Sequence, residues 1–248
     1  MIQPEERLAA ALAALILDPA APPARHIAVG AASPIPAAAC WLVKKQGHPV
    51  RLSLLHKRSG NPFTEGSREL FDLTGQGRID LFFLGGGQID GQANINLIGT
   101  GDWPGQGTRF PGSFGSAFMY FMTPRTILFR EEHSPRVLVP QVDNISAPGV
   151  SAPGVFRRGT AQALVTGKGI FSFDPAKARF SLASVHPGED AASIRAATGF
   201  DYDEPSSVPL TADPTPEQLA LLRGPVCDEM LETYPEFCAR VFARKAAA

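Results

Sequence analysis

The sequence predicts an α/β fold: an open, largely parallel sheet flanked by helices, with a β-rich C-terminal part. Helix-periodic and short apolar segments alternate through the first 84 residues, the pattern of a parallel sheet covered on both faces. Beyond residue 125 the apolar runs are short and closely spaced, as in hairpins. Gly (24) and Pro (23) make up nearly a fifth of the 248 residues without a collagen-like period, so many breaks separate short elements.

Pro4 and two glutamates open a first helix with Leu8, Leu12, Leu15 and Ile16 on one face. Ile27–Val29 reads as a strand ending at Gly30, and Pro36 suits the first turn of a helix through Cys40, Trp41 and Val43. Val50–Leu55 is strand-like. Thr64–Leu73 reads as a short helix stopped by Thr74-Gly75-Gln76-Gly77, and Ile79–Leu84 as a strand running into Gly85-Gly86-Gly87. Thr126–Phe129, Arg136–Val139, Ala163–Val165, Gly169–Phe173 and Phe180–Val185 are further strands, the last two joined as a hairpin across Asp174-Pro175-Ala176-Lys177. The tandem Ser-Ala-Pro-Gly-Val at 146–150 and 151–155 is a loop, too few copies for a solenoid. Asp190–Thr198 is helical, and Thr215-Pro216-Glu217-Gln218 is a capping box that starts a late helix. No stretch reads as a flexible linker, so residues 1–248 are expected to form one domain.

Composition excludes several functions. The chain is 44% hydrophobic, 19% charged and 8% aromatic, with a formal net charge of −1. That balance excludes disorder and lacks the basic footprint of a nucleic-acid binder. The acidic N-terminus is unlike a signal peptide, and the apolar run Leu8–Leu17 is too short to span a bilayer, so a cytoplasmic protein with no membrane partner is expected. Cys40, Cys227 and Cys238 come without a CxxC or a histidine pair, so no metal site is expected. On one continuous helix Cys227 and Cys238 would stand about 16 Å apart in rise, too far for a disulfide.

The glycine stretch is the strongest local feature. Ligands of open α/β sheets bind beyond the carboxyl ends of strands, where Gly85-Gly86-Gly87-Gln88 is placed. Glycine there allows close backbone approach and presents N–H groups to an anion or oxyanion. It is neither the dinucleotide fingerprint, because Asp90 stands at the third glycine position, nor a P-loop. Gln88, Asp90, Asn94 and Asn96 follow, then Gly99 through Gly115, which together suggest a surface of backbone and carboxamide donors.

The run Gly86-Gly87-Gln88-Ile89-Asp90-Gly91-Gln92-Ala93-Asn94-Ile95-Asn96 resembles the Gly-x-Gln-Ile-Asp-x-x-Gly-Asn-x-Asn signature of β subunits of family I CoA-transferases, of the glutaconate type. In the same order, Arg109–Gly115 is similar to that family's Gly-Ser-Gly-Gly loop. Val142-Asp143 with Ser146–Gly149 is similar to its Ile-Asp…Ser-Pro-Gly segment, and Gly169–Asp174 to its Gly-x-x-x-Phe-Asp strand. Ser184–Gly188 with Ala197–Phe200 resembles its Val-His-Pro-Gly…Asn-Thr-Gly-Phe stretch. The resemblance spans roughly residues 25–225. It implies a CoA-transferase-type sheet, an α-subunit partner in a heterodimer or α2β2 assembly, an active site at the subunit interface and an acyl-CoA substrate. Coenzyme A would be part of that substrate, with no tightly bound cofactor. The implied coenzyme-facing residues are Gly85, Gly86, Gly87, Gln88, Asp90, Asn94, Gly112 and Gly115.

In such transferases a β-subunit glutamate of a Glu-Ser-Gly motif attacks the thioester, splitting acyl exchange into two easier steps. This chain reads Lys57-Arg58-Ser59-Gly60 there, and a permanently cationic Arg58 cannot attack. Ala93 replaces the signature glycine, Phe114 a loop glycine, and Gly167 an aspartate. Neither Glu65 nor Glu69 stands in a Glu-x-Gly motif. Three readings follow. The first is a CoA-transferase-like β subunit whose catalytic residue is unknown. The second is the β subunit of a CoA-thioester ring-opening hydrolase, with the carboxylate on the α subunit. The third is a non-catalytic pocket-forming subunit. A free-standing sugar-phosphate isomerase fits the ordered blocks less well. Arg58 could bind a substrate carboxylate or a CoA phosphate, or be a solvated surface arginine. Glu131-Glu132-His133 reads as a solvated strand end or an acid/base group, and His186 as a turn partner. Lys44-Lys45 and Arg157-Arg158 are possible phosphate contacts, and Trp103 is a possible pocket or subunit contact.

Overall fold

A computed structural model of the protein describes residues 1–61, 63–102, 104, 105 and 107–244. In chain order it contains α1 (Pro4–Ile16), β1 (His26–Val29), α2 (Pro34–Lys45), β2 (Arg51–Leu54), α3 (Ser67–Gly75) and β3 (Leu81–Leu84). There follow β4 (Gln88–Ile89), β5 (Ile95–Asn96), α4 (Ser116–Met122), β6 (Arg125–Arg130), β7 (Thr160–Thr166), β8 (Gly169–Asp174) and β9 (Arg179–Val185). The chain ends in α5 (Ala191–Ala197), α6 (Pro216–Leu221), a π-helical turn (Leu222–Val226), α7 (Cys227–Met230) and α8 (Pro235–Phe242). The larger sheet has seven strands in the order β2-β1-β3-β6-β7-β8-β9, and β4 and β5 form a separate pair. Strands β1/β2 and β6/β7 pair in parallel, whereas β7/β8 and β8/β9 are antiparallel hairpins. The α/β expectation therefore holds, with the antiparallel strands of the larger sheet placed after residue 125.

Contacts gather the chain into two compact units. The first comprises residues 1–73, 78–81 and 212–248. Its α1 begins at Pro4, whose missing N–H would have had no helical partner, and Glu6 accepts the Gln3 N–H at 2.9 Å. Glu6 is fully buried and pairs with Arg223 at 2.6 Å, which ties the last segment to the first. Helix α2 starts two residues before Pro36, at Pro34, and packs on α1 and on the C-terminal helices. Helix α3 starts at Ser67, later than the sequence suggests, and runs through Gly75.

Packing decides how the late helical segment runs. Gly224 and Pro225 break the late helix into a π-helical turn, and a further turn separates α7 from α8. Cys227 and Cys238 therefore do not lie along one helix: the Cys238 thiol is 3.8 Å from the Cys227 carbonyl oxygen, and both cysteines are buried and free. Strands β6–β9 form the β-rich later part of the chain, and the expected late helices follow them from Ala191 to Phe242.

The second unit comprises residues 74–77 and 82–211. Phe171, Phe180 and Tyr202 are almost fully buried, and Phe171 meets Tyr202 edge-on at a centroid distance of 5.1 Å. Each such ring contributes about 2–3 kcal/mol through burial. Arg136–Val139 is not a strand: it forms a turn whose single bridge, Leu138 to Ile89, holds β4. The apolar residues Val137 and Leu138 are buried, as a strand's would be, but a short β4 offers them only one ladder rung.

Candidate functional site

In the second unit the glycine-rich stretch folds as a small hairpin, with Gln88 paired to Asn96 and Ile89 to Ile95. Its signature side chains turn inward. Asp90 is 3% exposed and its Oδ1 accepts the N–H groups of Gln92 (3.0 Å) and Asn94 (3.1 Å). Its Oδ2 accepts the Asn94 amide at 3.1 Å and the Val142 N–H at 3.4 Å. Asn94 Oδ1 in turn accepts the Gly149 N–H at 3.0 Å. Gln88 Oε1 accepts from the Asn96 amide (2.7 Å) and from the Asp143 N–H (3.0 Å). Ser146 Oγ donates to Ile95 O at 2.9 Å and accepts the Leu97 N–H at 3.0 Å. Gln88, Asp90 and Asn94 thus fasten the hairpin to residues 142–149. A buried polar group left without a partner would cost about 1–3 kcal/mol, which explains this density of bonds.

The three glycines admit neighbouring chain. A Cβ at Gly85 would stand 2.8 Å from the Phe129 carbonyl, one at Gly86 2.7 Å from an Ile95 methyl, and one at Gly87 2.3 Å from the Phe110 ring. The Gly87 N–H donates to Asn96 O at 2.8 Å. Gly112 has a left-handed φ of +101° with open space around it, and Gly115 precedes α4. Two of the departures from the signature keep the backbone shape of glycine: Ala93 has φ +62° and Phe114 φ +45°. Gly167 admits the Glu131 carbonyl, 2.4 Å from where a Cβ would be, so an aspartate would not fit there without a shift.

Beside the hairpin an open cleft of about 580 Å³ is bordered by Asp90, Gln92 and Asn94 and by Lys177, Arg179 and Asp201. Its charges are largely matched internally. Arg179 bonds Asp201 at 2.7 Å and Asp203 at 2.5 Å, and these bonds push its pKa up, while Lys177 lies 3.6 Å from Asp174.

His133 is buried rather than at a solvated strand end. Its ring nitrogens meet Thr166 Oγ1 at 2.8 Å and Thr198 Oγ1 at 2.9 Å. Burial, aided by the Lys168 charge, pushes its pKa down to about 4, so it is neutral at pH 7. Glu132 is tied to Arg136 and Ser134. His186 does bond a turn, through Thr166 O at 2.9 Å. Arg157 donates to three carbonyls, those of Gly159 (2.6 Å), Pro148 (2.8 Å) and Tyr120 (3.3 Å), which leaves it little capacity for a phosphate. Arg158 lies against Gly77, and Trp103 is outside the described residues.

In the first unit β2 leads into the loop His56–Gly60. Arg58 is exposed. Four glutamates around this loop and α3 are engaged within the protein. Glu69 accepts from Thr64 Oγ1 at 3.0 Å and from Glu65 N–H at 3.1 Å, capping α3, and Glu65 pairs with Arg68 at 3.1 Å. Glu229 holds Lys45 (2.8 Å) and Lys57 (3.4 Å), and Glu232 accepts the Ser59 N–H at 2.8 Å and its hydroxyl. Lys44, Lys45 and Lys57 surround the Trp41 ring at 5.0–5.6 Å. Sequence reasoning missed Glu229 and Glu232, which stand more than 170 residues from their partners and carry no local signal. Among the described residues no cluster of His, Cys, Asp and Glu could hold a metal ion, and no helix is long and apolar enough to cross a membrane.

Residues 47–197 match the family model described as Coenzyme A transferase. The chain is 34% identical over 148 residues to the β chain of glutaconate CoA-transferase of Acidaminococcus fermentans, covering 57% of this chain and 54% of that protein. It is 28% identical over 160 residues to the cholesterol ring-cleaving hydrolase IpdB subunit of Rhodococcus jostii, covering 63% and 62% respectively. The matched stretches thus span between half and two thirds of these relatives. Among solved structures, Rhodococcus jostii IpdAB superposes with a TM-score of 0.78 at 22% identity, over 90% of this chain and 94% of that one. The decarboxylase AibA/AibB superposes with a TM-score of 0.75 at 24% identity, with the same coverage. At these identities the superpositions establish the fold.

Proposed function

This chain belongs to the coenzyme A transferase family, and on that premise we propose that it is the β subunit of a heteromeric enzyme acting on an acyl-CoA thioester, with the catalytic carboxylate supplied by an α subunit. The observation that carries this reading is Arg58. It stands where the family's attacking glutamate is expected, and the nearby Glu65, Glu69, Glu229 and Glu232 are each engaged in ion pairs or caps. A guanidinium cannot act as nucleophile, but it binds carboxylate and phosphate well. Arg58 therefore serves as receptor for an anionic group of the acyl-CoA. In the second unit the backbone at Gly85, Gly86, Gly87, Gly112 and Gly115 is the coenzyme-facing surface, and Gln88, Asp90 and Asn94 hold its shape.

The test is borohydride trapping. The chain, co-expressed with a CoA-transferase α subunit from the same genome, is incubated with acyl-CoA and treated with borohydride, which reduces an enzyme-bound acyl thioester to the alcohol. No reduced glutamate is expected on this chain. A reduced glutamate on it would overturn the reading.

The same Arg58 favours a second reading, a carbon–carbon ring-opening hydrolase, in keeping with the likeness to the IpdB subunit. Mass spectrometry of the product separates the two: acyl exchange moves CoA to an acceptor, whereas ring opening adds water and retains the thioester. If substitution of Arg58 leaves turnover unchanged, the chain is a pocket-forming subunit only.

A further inference from the structure

We propose that Glu232 is the positioning residue that aims Arg58, an inference that rests on Arg58 being the anion receptor. Three residues that flank Arg58 in the loop after β2 are held by the short segment 229–234. The His56 ring meets Tyr234 edge-on, with centroids 5.9 Å apart at 88°. Lys57 Nζ lies 3.4 Å from Glu229. Glu232 accepts the backbone N–H of Ser59 at 2.8 Å, and the Ser59 hydroxyl as well.

The Ser59 N–H belongs to the peptide plane that carries the Arg58 carbonyl. Holding that plane on Glu232, with Lys57 held on Glu229 before it, restrains the Arg58 backbone from both sides, and with it the direction of its Cα–Cβ bond. A receptor held in direction before binding loses less entropy on binding. The guanidinium itself remains exposed.

The same geometry argues against Glu232 as the missing nucleophile. Its oxygens are engaged by two donors, the Ser59 hydroxyl and N–H, which hold its pKa below the usual carboxylate range. A carboxylate stabilised in this way is a weaker base and nucleophile. Glu232 thus acts through Arg58.

The test is a double-mutant cycle on the co-expressed heteromer, using R58A, E232A and the double variant. Isothermal titration calorimetry reads the affinity for acetyl-CoA and for succinyl-CoA. R58A is expected to weaken binding about tenfold. If Arg58 receives a CoA phosphate, both probes weaken alike; if it receives an acyl carboxylate, only succinyl-CoA weakens. E232A is expected to weaken the same probe three- to tenfold, and the double variant to be no worse than R58A, because a positioning residue has nothing left to position. E232Q, which keeps one acceptor oxygen, falls between wild type and E232A. Glu232 is exposed, so E232A loses no buried apolar contact, and its melting temperature is expected to stay within a few degrees of wild type. Full affinity in E232A, or losses that add independently in the double variant, would overturn the positioning role while leaving Arg58 as receptor. Unchanged affinity in R58A would overturn the receptor reading and the inference with it.

Discussion

The side-chain oxygen of Asn94 accepts the backbone N–H of Gly149 at 3.0 Å, across 55 residues of sequence, while the same side chain donates to Asp90 at 3.1 Å. This carboxamide joins the signature hairpin to the Ser-Ala-Pro-Gly loop, using its acceptor on one side and its donor on the other. N94A leaves the buried Gly149 N–H without its acceptor and takes one donor from Asp90, and is expected to cost about 2–3 kcal/mol, read as a lower urea midpoint. N94D costs at least as much at pH 7, since it sets a second carboxylate beside Asp90.

Phe114 holds a glycine-like backbone, φ +45°, with its side chain 80% exposed. A left-handed conformation costs a residue with a Cβ about 1–2 kcal/mol, partly offset by the greater freedom that glycine has when unfolded. F114G is therefore expected to stabilise the protein by about 0.5–1 kcal/mol, visible as a small rise in melting temperature.

Burial pushes the pKa of His133 down to about 4, below its ordinary 6.5. Between those values the unfolded chain binds a proton that the folded chain refuses, so stability rises with pH across this window and is lost as pH falls through it. The full shift corresponds to at most about 3 kcal/mol. His26, whose pKa is also lowered by burial, adds in the same direction. Urea midpoints at pH 7.5 and 4.5 should differ less in H133Q than in wild type. An equal difference would assign the pH dependence elsewhere.

The chain has three cysteines, all buried and free. Burial raises the thiol pKa of each, that of Cys238 to about 12, so little thiolate is present at pH 8. Reaction with a thiol reagent is expected to be slow in the native protein and to reach three equivalents once it is unfolded in guanidinium.

Local chemistry made much of the fold legible. Pro4, the Thr215-Pro216 capping box and Asp190 mark helix starts that the structure keeps, and the Asp174–Lys177 turn marks the hairpin of β8 and β9. Arg136–Val139 misled because an apolar β-branched run signals burial as readily as a strand, and it is the partner that decides between them. The start of the late helix at Thr215-Pro216 was legible, but its break at Gly224-Pro225 and the turn before Pro235 set Cys238 back beside Cys227.

By itself the sequence determined the alternation of elements, the resemblance to CoA-transferase β subunits, and the cation at position 58. Only the tertiary structure decided which polar groups are engaged within the protein. Gln88, Asp90 and Asn94 look alike in sequence whether they face a ligand or their own backbone, and they face their own backbone. Glu232 looks like any surface glutamate until the fold sets it against Ser59. The physical reason is that periodicity and turn chemistry act over a few residues, whereas a hydrogen bond is satisfied by whichever partner packing brings within about 3 Å. Separations of 55 and 173 residues leave no trace in local pattern.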